Sequence, residues 1–251
     1  MKKPISDAVI LMAGPGSRLV AGGHVLPKPL IRIGGRAIFS YTIDALREAG
    51  IKTVHVVTGH NSDALLSGIK PLIPAEMKVH PIHNSEWQKQ NGISVLAARS
   101  HVFSPFFLTM GDHLFKPSIV HLLLREAKAN ELNVAIDRKL NSIFDPEDAM
   151  KVQTRGDRIA RIGKNLDDYD AIDTGAFVCP PTFFDYLERA KRAGDCSLAD
   201  GVRAMSKDEK VRAIDIGDAW WQDIDTPEML AAAEKVLGGS HHRLTPGPAA
   251  P

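Results

Sequence analysis

Gly14, Gly16, Ser17 and Arg18 stand directly behind the apolar run from Ala8 to Ala13, and Lys28 follows between Pro27 and Pro29. Glycines on either side of Pro15 let the backbone approach a ligand closely and turn amide N–H groups toward it. Ser17 adds a hydroxyl, Arg18 a planar cation and Lys28 a mobile ammonium. Amides and two cations at the end of a buried strand make a site for a polyphosphate. The dinucleotide fingerprint G-x-G-x-x-G fails at Leu19, and no G-K-[ST] closes a Walker A loop.

Carboxylates supply the second half of the chemistry. Asp112 closes the apolar segment that begins at Phe106. Ligands of open parallel sheets bind outside the carboxyl ends of the strands, so an acid there lies beside the phosphates. Mg2+ takes oxygen ligands, commonly one or two carboxylates plus substrate phosphates, and Asp112 is the first candidate. Asp223 and Asp225 fall on one side of an extended segment. Asp225 is the preferred second ligand, because Thr226 already serves to cap the helix that opens at Pro227. Lys151, Lys164 and Asp173 lie on successive strand-like segments; cations suit a phosphate monoester and a carboxylate suits hydroxyl donors. Asn91-Gly92 and Ser94, in a polar stretch feeding a helix, suit close passage of a ligand's edge. His55, His60, His80 and His83 show no ligand spacing and read as structural or surface residues.

The elements that position these residues follow from periodicity. Ala8–Met12 is an unbroken apolar strand, which requires cover on both faces. Helical spacing runs from Ala37 to Ala49 and stops at Gly50. A β-branched strand spans Thr53–Thr58, Asn61 or Ser62 caps a short helix through Ile69, and Met77–Ile82 is another strand. A helix is expected from about Val95 to His101. Hairpin strands Met150–Gln153 and Arg158–Lys164, then a strand over Ala171–Val178, belong to a second half. Helices follow around 181–191 and 197–205. Strands alternating with helices over short connections give an α/β fold with a mostly parallel sheet covered on both faces.

The 251 residues read as one domain over 1–237, with a tail from 238 to 251 expected to be disordered. A nucleotide-binding half is expected over about 1–132 and an acceptor-binding half over about 133–237. A net charge of +1 argues against a general nucleic-acid binder. Cys179 and Cys196 have no metal or redox spacing and suit buried thiols in a reducing cytoplasm. No signal peptide or membrane-spanning run is visible, so direct membrane insertion is not expected.

Together, G-x-G-[ST]-R, P-K-P-L, Leu108–His113, Ile162–Lys164 with Asp170–Gly175, and Trp221–Thr226 resemble a known family. The chain is similar to the nucleotidyltransferases with a MobA-like domain that act on phosphorylated sugars and alcohols, in particular the CTP:inositol-1-phosphate cytidylyltransferases. The likeness runs from about Val9 to Ala231, and Met12 stands where the family usually has alanine. It implies a Rossmann-like nucleotidyltransferase fold with a small β-rich acceptor region. It also implies Mg2+-dependent transfer of CMP from CTP to inositol 1-phosphate, with pyrophosphate as leaving group. Lys28, Arg18 and Asp112 would be catalytic, and Asp112 and Asp225 would hold Mg2+. Ala13, Gly14, Gly16, Ser17, Arg18, Thr58, Asn91, Gly92 and Ser94 would surround the nucleotide, and Lys151, Lys164 and Asp173 the acceptor. Some members carry a membrane phosphatidyltransferase behind this domain; since nothing apolar follows Leu237, such a partner is expected on a separate polypeptide. The segment around Asn91 is also similar to phosphocholine cytidylyltransferases, so phosphocholine, a phosphonate or a hexose 1-phosphate stay open as acceptors. A non-catalytic nucleotide-binding module on the same fold is the remaining alternative.

Overall fold

The computed structural model describes residues 4–14 and 26–238. Pro15, Gly16, Ser17, Arg18 and Leu19, and the tail beyond Gly238, lie outside the described residues. The strands are β1 (Asp7–Met12), β2 (Arg32–Ile33), β3 (Arg36–Ala37), β4 (Thr53–Thr58), β5 (Lys78–His83), β6 (Phe106–Met110) and β7 (His113–Phe115). They continue with β8 (Leu132–Asp137), β9 (Lys151–Arg155), β10 (Arg158–Gly163), β11 (Ala171–Cys179), β12 (Val211–Asp215) and β13 (Trp221–Asp223). The helices are α1 (Ile38–Glu48), α2 (Ser62–Ile69), α3 (Asn91–Ala97), α4 (Pro117–Glu126), α5 (Phe183–Ala190), α6 (Leu198–Ser206) and α7 (Pro227–Gly238).

Nine strands form one sheet in the order β5-β4-β1-β6-β11-β8-β12-β10-β9. Neighbouring pairs are parallel from β5 through β6 and between β8 and β12. Only β11 and β10 run against the other strands of the sheet. The sheet is therefore mixed, with most strands pointing one way and their carboxyl ends on a common edge.

Alternation along β1 explains its unbroken apolar run. Val9 and Leu11 enter a core with Ile93, Phe183, Leu187, Val202 and Met205 of α3, α5 and α6. Ala8, Ile10 and Met12 enter the opposite core with Phe39, Ile43, Leu46, Leu65 and Leu123 of α1, α2 and α4. Each fully buried side chain of this size stabilises the fold by about 1.5–3 kcal/mol. A third, smaller cluster joins Ile31, Ile33, Ile38, Leu114, Ile224 and Ala233. It fixes the segment after Lys28 against β7 and the base of α7, and so sets Lys28 near Asp225.

Two local expectations need correction. Helix α3 begins at Asn91 rather than about Val95, so Asn91-Gly92 forms its first turn instead of lying in the stretch that feeds it. The cause is tertiary: Asp195 accepts from the Gln90 N–H at 3.0 Å, ordering the helix start from across the chain. Asn61 and Ser62 make no side-chain cap on α2, because Asn61 is left-handed (φ 51°) and Ser62 donates to the Gly59 carbonyl at 2.8 Å. At the other end of the chain, Thr226 caps α7 as expected, accepting from the Met229 N–H at 3.3 Å. Both cysteines are buried free thiols, and no described helix is long and apolar enough to cross a membrane.

Candidate active site

Three of the expected residues meet at the carboxyl edge of the sheet. Lys28 opens a short 3-10 turn (Lys28–Leu30) that follows Pro27 and contains Pro29, and its ammonium donates to Asp112 Oδ2 at 3.1 Å and to Asp225 Oδ1. Asp112 sits in the turn between β6 and β7, and Asp225 lies between β13 and α7. All three side chains are largely withdrawn from solvent. Burial works to lower the Lys28 pKa, but the charges of Asp112 and Asp225 and their hydrogen bonds outweigh it, and the value is raised. Burial likewise opposes ionisation of Asp112. His113 and Lys28 reverse that effect and hold its carboxyl well below the usual range.

His113 is a site residue that motif reading did not single out. Its Nδ1 lies 2.8 Å from Asp112 Oδ1, so Asp112 is held from both ends. The ring stacks on Trp221 with centroids 6.3 Å apart and planes at 19°. The Trp221 indole donates to buried Asp137 at 2.9 Å, and Lys139 also donates to Asp137 at 2.8 Å. The Cδ2–Nε2 edge of the ring meets Gly175, which has φ +72°, and any Cβ there would come within 2.3 Å of both atoms. Glycine is required at this position for both reasons. The neighbouring pair Asp112-His113 at a strand end was the one sequence signal for this contact.

A cavity of about 790 Å³ opens beside these residues. Its wall includes Asn91, Asp112, His113, Lys164, Asp173 and Asp225. Asp223 also lines it, and burial raises the Asp223 pKa, as do Asp225 and Asp112, against the pull of His113. Lys164 is ion-paired with Asp148 across the cavity rim. Lys151 of β9 and Asp173 of β11 come from adjacent strands, and Lys164 directly follows β10, whose Gly163 pairs with Lys151. The Lys151 ammonium sits 5.4 Å from the Tyr169 ring centroid, and Lys151 is not among the residues lining the cavity.

Asp173 sits where β11 shifts register against β8, ahead of Gly175, whose N–H donates to it at 2.9 Å. Burial pushes its pKa up to about 7, against that hydrogen bond and the charge of His113. The consequence for stability has a definite sign. Between the ordinary carboxylate range and about pH 7 the folded chain holds a proton that the unfolded chain has released. Stability from this group is full in acid, declines as pH rises to about 7 and then levels off. Thermal unfolding of wild type and Asp173→Asn should therefore show a gap in favour of the asparagine variant that grows from pH 4.5 to pH 7.5. A gap independent of pH would show that Asp173 is ionised throughout.

The residues expected around the nucleotide divide into wall and frame. Asn91 reaches the cavity, and its Oδ1 accepts from the Leu198 N–H at 2.8 Å, at the start of α6. Gly92 lies behind it; a Cβ there would fall 2.5 Å from the Cys196 carbonyl oxygen. Ser94 is buried and accepts from Asn84 Nδ2 at 3.0 Å. Thr58 is buried and donates to the Ile82 carbonyl at 3.4 Å. Gly92, Ser94 and Thr58 hold the frame behind Asn91 and are not among the residues lining the cavity. The Ala13 carbonyl accepts from His60 N–H at 3.0 Å, tying the end of β1 to that of β4, and Gly14 follows at the edge.

A family model described as the MobA-like NTP transferase domain matches residues 8–213. The chain belongs to this family. Its MobA-like domain is 33% identical over 234 residues to a bifunctional IPC transferase and DIPP synthase from Rubrobacter xylanophilus, covering 92% of this chain and 52% of that protein. A protein of the same name from Thermococcus kodakarensis is 34% identical over 235 residues, covering 92% of this chain and 50% of the other. The chain thus spans about half the length of these curated relatives. Among solved structures, the inositol-1-phosphate CTP transferase from T. maritima superposes with a TM-score of 0.82 at 24% identity, covering 98% of this chain and 100% of that one. The fold of this MobA-like domain is therefore the α/β nucleotidyltransferase fold.

Proposed function

We propose that this chain is a cytidylyltransferase that moves CMP from CTP to inositol 1-phosphate and releases pyrophosphate. The observation that carries the reading is the convergence of Lys28, Asp112 and Asp225 at the edge of a cavity whose wall includes Lys164 and Asp173. The names of the similar proteins support the choice of CTP and inositol phosphate.

In this reading a phosphate oxygen of the acceptor attacks the α-phosphorus of CTP. A new P–O bond forms as the bond to the β-phosphate breaks, and pyrophosphate leaves with the electron pair. The nucleophile is already anionic, so no general base is needed, and catalysis consists of positioning and charge neutralisation. Lys28 places its ammonium against the phosphates. Gly14, Gly16, Ser17 and Arg18 hold the triphosphate, Asn91 lies along the nucleotide, and Lys164 receives the acceptor phosphate. Asp173, neutral or ionised near pH 7, exchanges hydrogen bonds with acceptor hydroxyls.

In this reading Asp112 and Asp225 would hold Mg2+. They offer oxygen donors within reach of one common ammonium, which suits a hard divalent cation that keeps its other positions for phosphate and water. When bound, the ion neutralises charge on the phosphates.

The test is pyrophosphate release by the purified protein with CTP, Mg2+ and a panel of phosphorylated alcohols. Turnover with inositol 1-phosphate should exceed that with phosphocholine, a phosphonate or a hexose 1-phosphate. Preference for phosphocholine would make Trp220 and Trp221, which line the cavity, a cage for its quaternary ammonium and overturn the inositol assignment.

A further inference from the structure

We propose that His113 is a positioning residue that fixes the Asp112 carboxylate for the transfer step; this rests on the reading of Lys28 and Asp112 given above. A carboxylate in a two-residue turn rotates readily about its last torsion, whose energy profile is broad. Here each oxygen has one directional partner: Oδ2 faces Lys28 at 3.1 Å and Oδ1 faces His113 Nδ1 at 2.8 Å. Lys28 is a flexible ammonium that in this mechanism also serves phosphate, so it cannot by itself define the plane of Asp112. The imidazole can, because it is planar and is itself immobilised.

That immobilisation comes from elements far apart in the chain. The His113 carbonyl accepts from the Thr42 hydroxyl of α1 at 3.3 Å. Its backbone pairs with Asp223 of β13, in register with the Trp221–Phe115 pair. Trp221 covers one face of the ring, and its indole N–H is anchored 2.9 Å from an oxygen of Asp137, itself 2% exposed. Gly175, in the left-handed region, lies with its backbone close against the Cδ2–Nε2 edge. Reorienting the ring would break its contact with Asp112 and disturb the stacking on Trp221. A histidine that served only to fill the core would not need its Nδ1 aimed at Asp112, nor lie in the wall of the cavity. Outer partners of this kind, which orient a working carboxylate or imidazole, are worth about 10–100-fold in activity.

Nδ1 and Nε2 can be tested separately, since an asparagine amide approximates Nδ1–H and a glutamine amide approximates Nε2–H. His113→Ala and His113→Gln should lower kcat about 10–100-fold with KM for CTP changed only a few-fold, whereas His113→Asn should recover most of the loss. In an Asp112→Asn background, His113→Ala should have no further effect, because it acts through that carboxylate. Thermal unfolding and near-ultraviolet circular dichroism establish that each variant is folded. If the alanine variant does not fold, the asparagine–glutamine comparison decides. Wild-type kcat in His113→Ala, equal losses in folded His113→Asn and His113→Gln, or independent effects in the double variant would each overturn the proposal. An Asp112→Asn enzyme with full activity would instead overturn the reading of the site itself.

Discussion

Lys28→Ala should lower kcat by about 10²–10³-fold, the scale on which one preorganised donor to developing charge acts. KM for CTP should change much less, since the effect lies in the transition state; a rise in KM at constant kcat would assign Lys28 to uniform binding instead. The structure adds a consequence for folding. The lysine stem lies in a proline-rich turn and contributes little core, but its ammonium separates two carboxylates. Without it two neighbouring carboxylates lose the cation between them, and the variant should melt at a lower temperature than wild type. Melting curves check this independently of activity.

Asp112→Asn preserves shape and removes a charge that Lys28 and His113 both stabilise. It should reduce activity by about 10³-fold or more, and the dependence of the residual rate on Mg2+ concentration should shift to higher concentrations. Asp225→Asn should behave alike, because both carboxylates meet one ammonium. Asp223→Asn should matter less, since Asp223 faces the cavity and makes no contact with Lys28 among those that fix the ammonium. Steady-state rates over a Mg2+ titration distinguish the three, and greater sensitivity at Asp223 would reverse the assignment within the Asp-Ile-Asp segment.

Much of this arrangement was readable from the chain. The strand ending at Met12, the acid after Met110 and the Thr226-Pro227 helix start are local patterns, each set by residues a few positions apart. The long-range pairings were not readable. Lys28 meets Asp112 across 84 positions and Asp225 across 197, so composition marks the participants while tertiary structure alone makes them partners. The start of α3 at Asn91 departs from the sequence expectation because Asp195, distant in sequence, holds the Gln90 N–H at its entrance. Lys151 looked equivalent to Lys164, yet Tyr169 draws one ammonium onto its ring while Asp148 holds the other at the cavity rim. The role of His113 depends on Gly175, Trp221 and Asp137 arriving from three other strands, and no single segment encodes that.

The register shift in β11 gives the molecule a joint. Beyond Gly175, β11 is sewn to β6 through Phe177, Val178 and Cys179; before it, Ala171 and Ile172 are sewn to β9. One strand thus borders β6 on one side of the shift and β9 on the other, while β8 pairs with both parts. Changes within residues 150–164 that keep the core residues Val152, Ile159 and Ile162 should remodel the wall that carries Lys164 while leaving the β1–β6–β11 seam, and the turn with Asp112, in place. On the proposed function, editing this hairpin should alter acceptor choice without rebuilding the site of Lys28, Asp112 and Asp225. In the laboratory, hairpin grafting between relatives is the corresponding test.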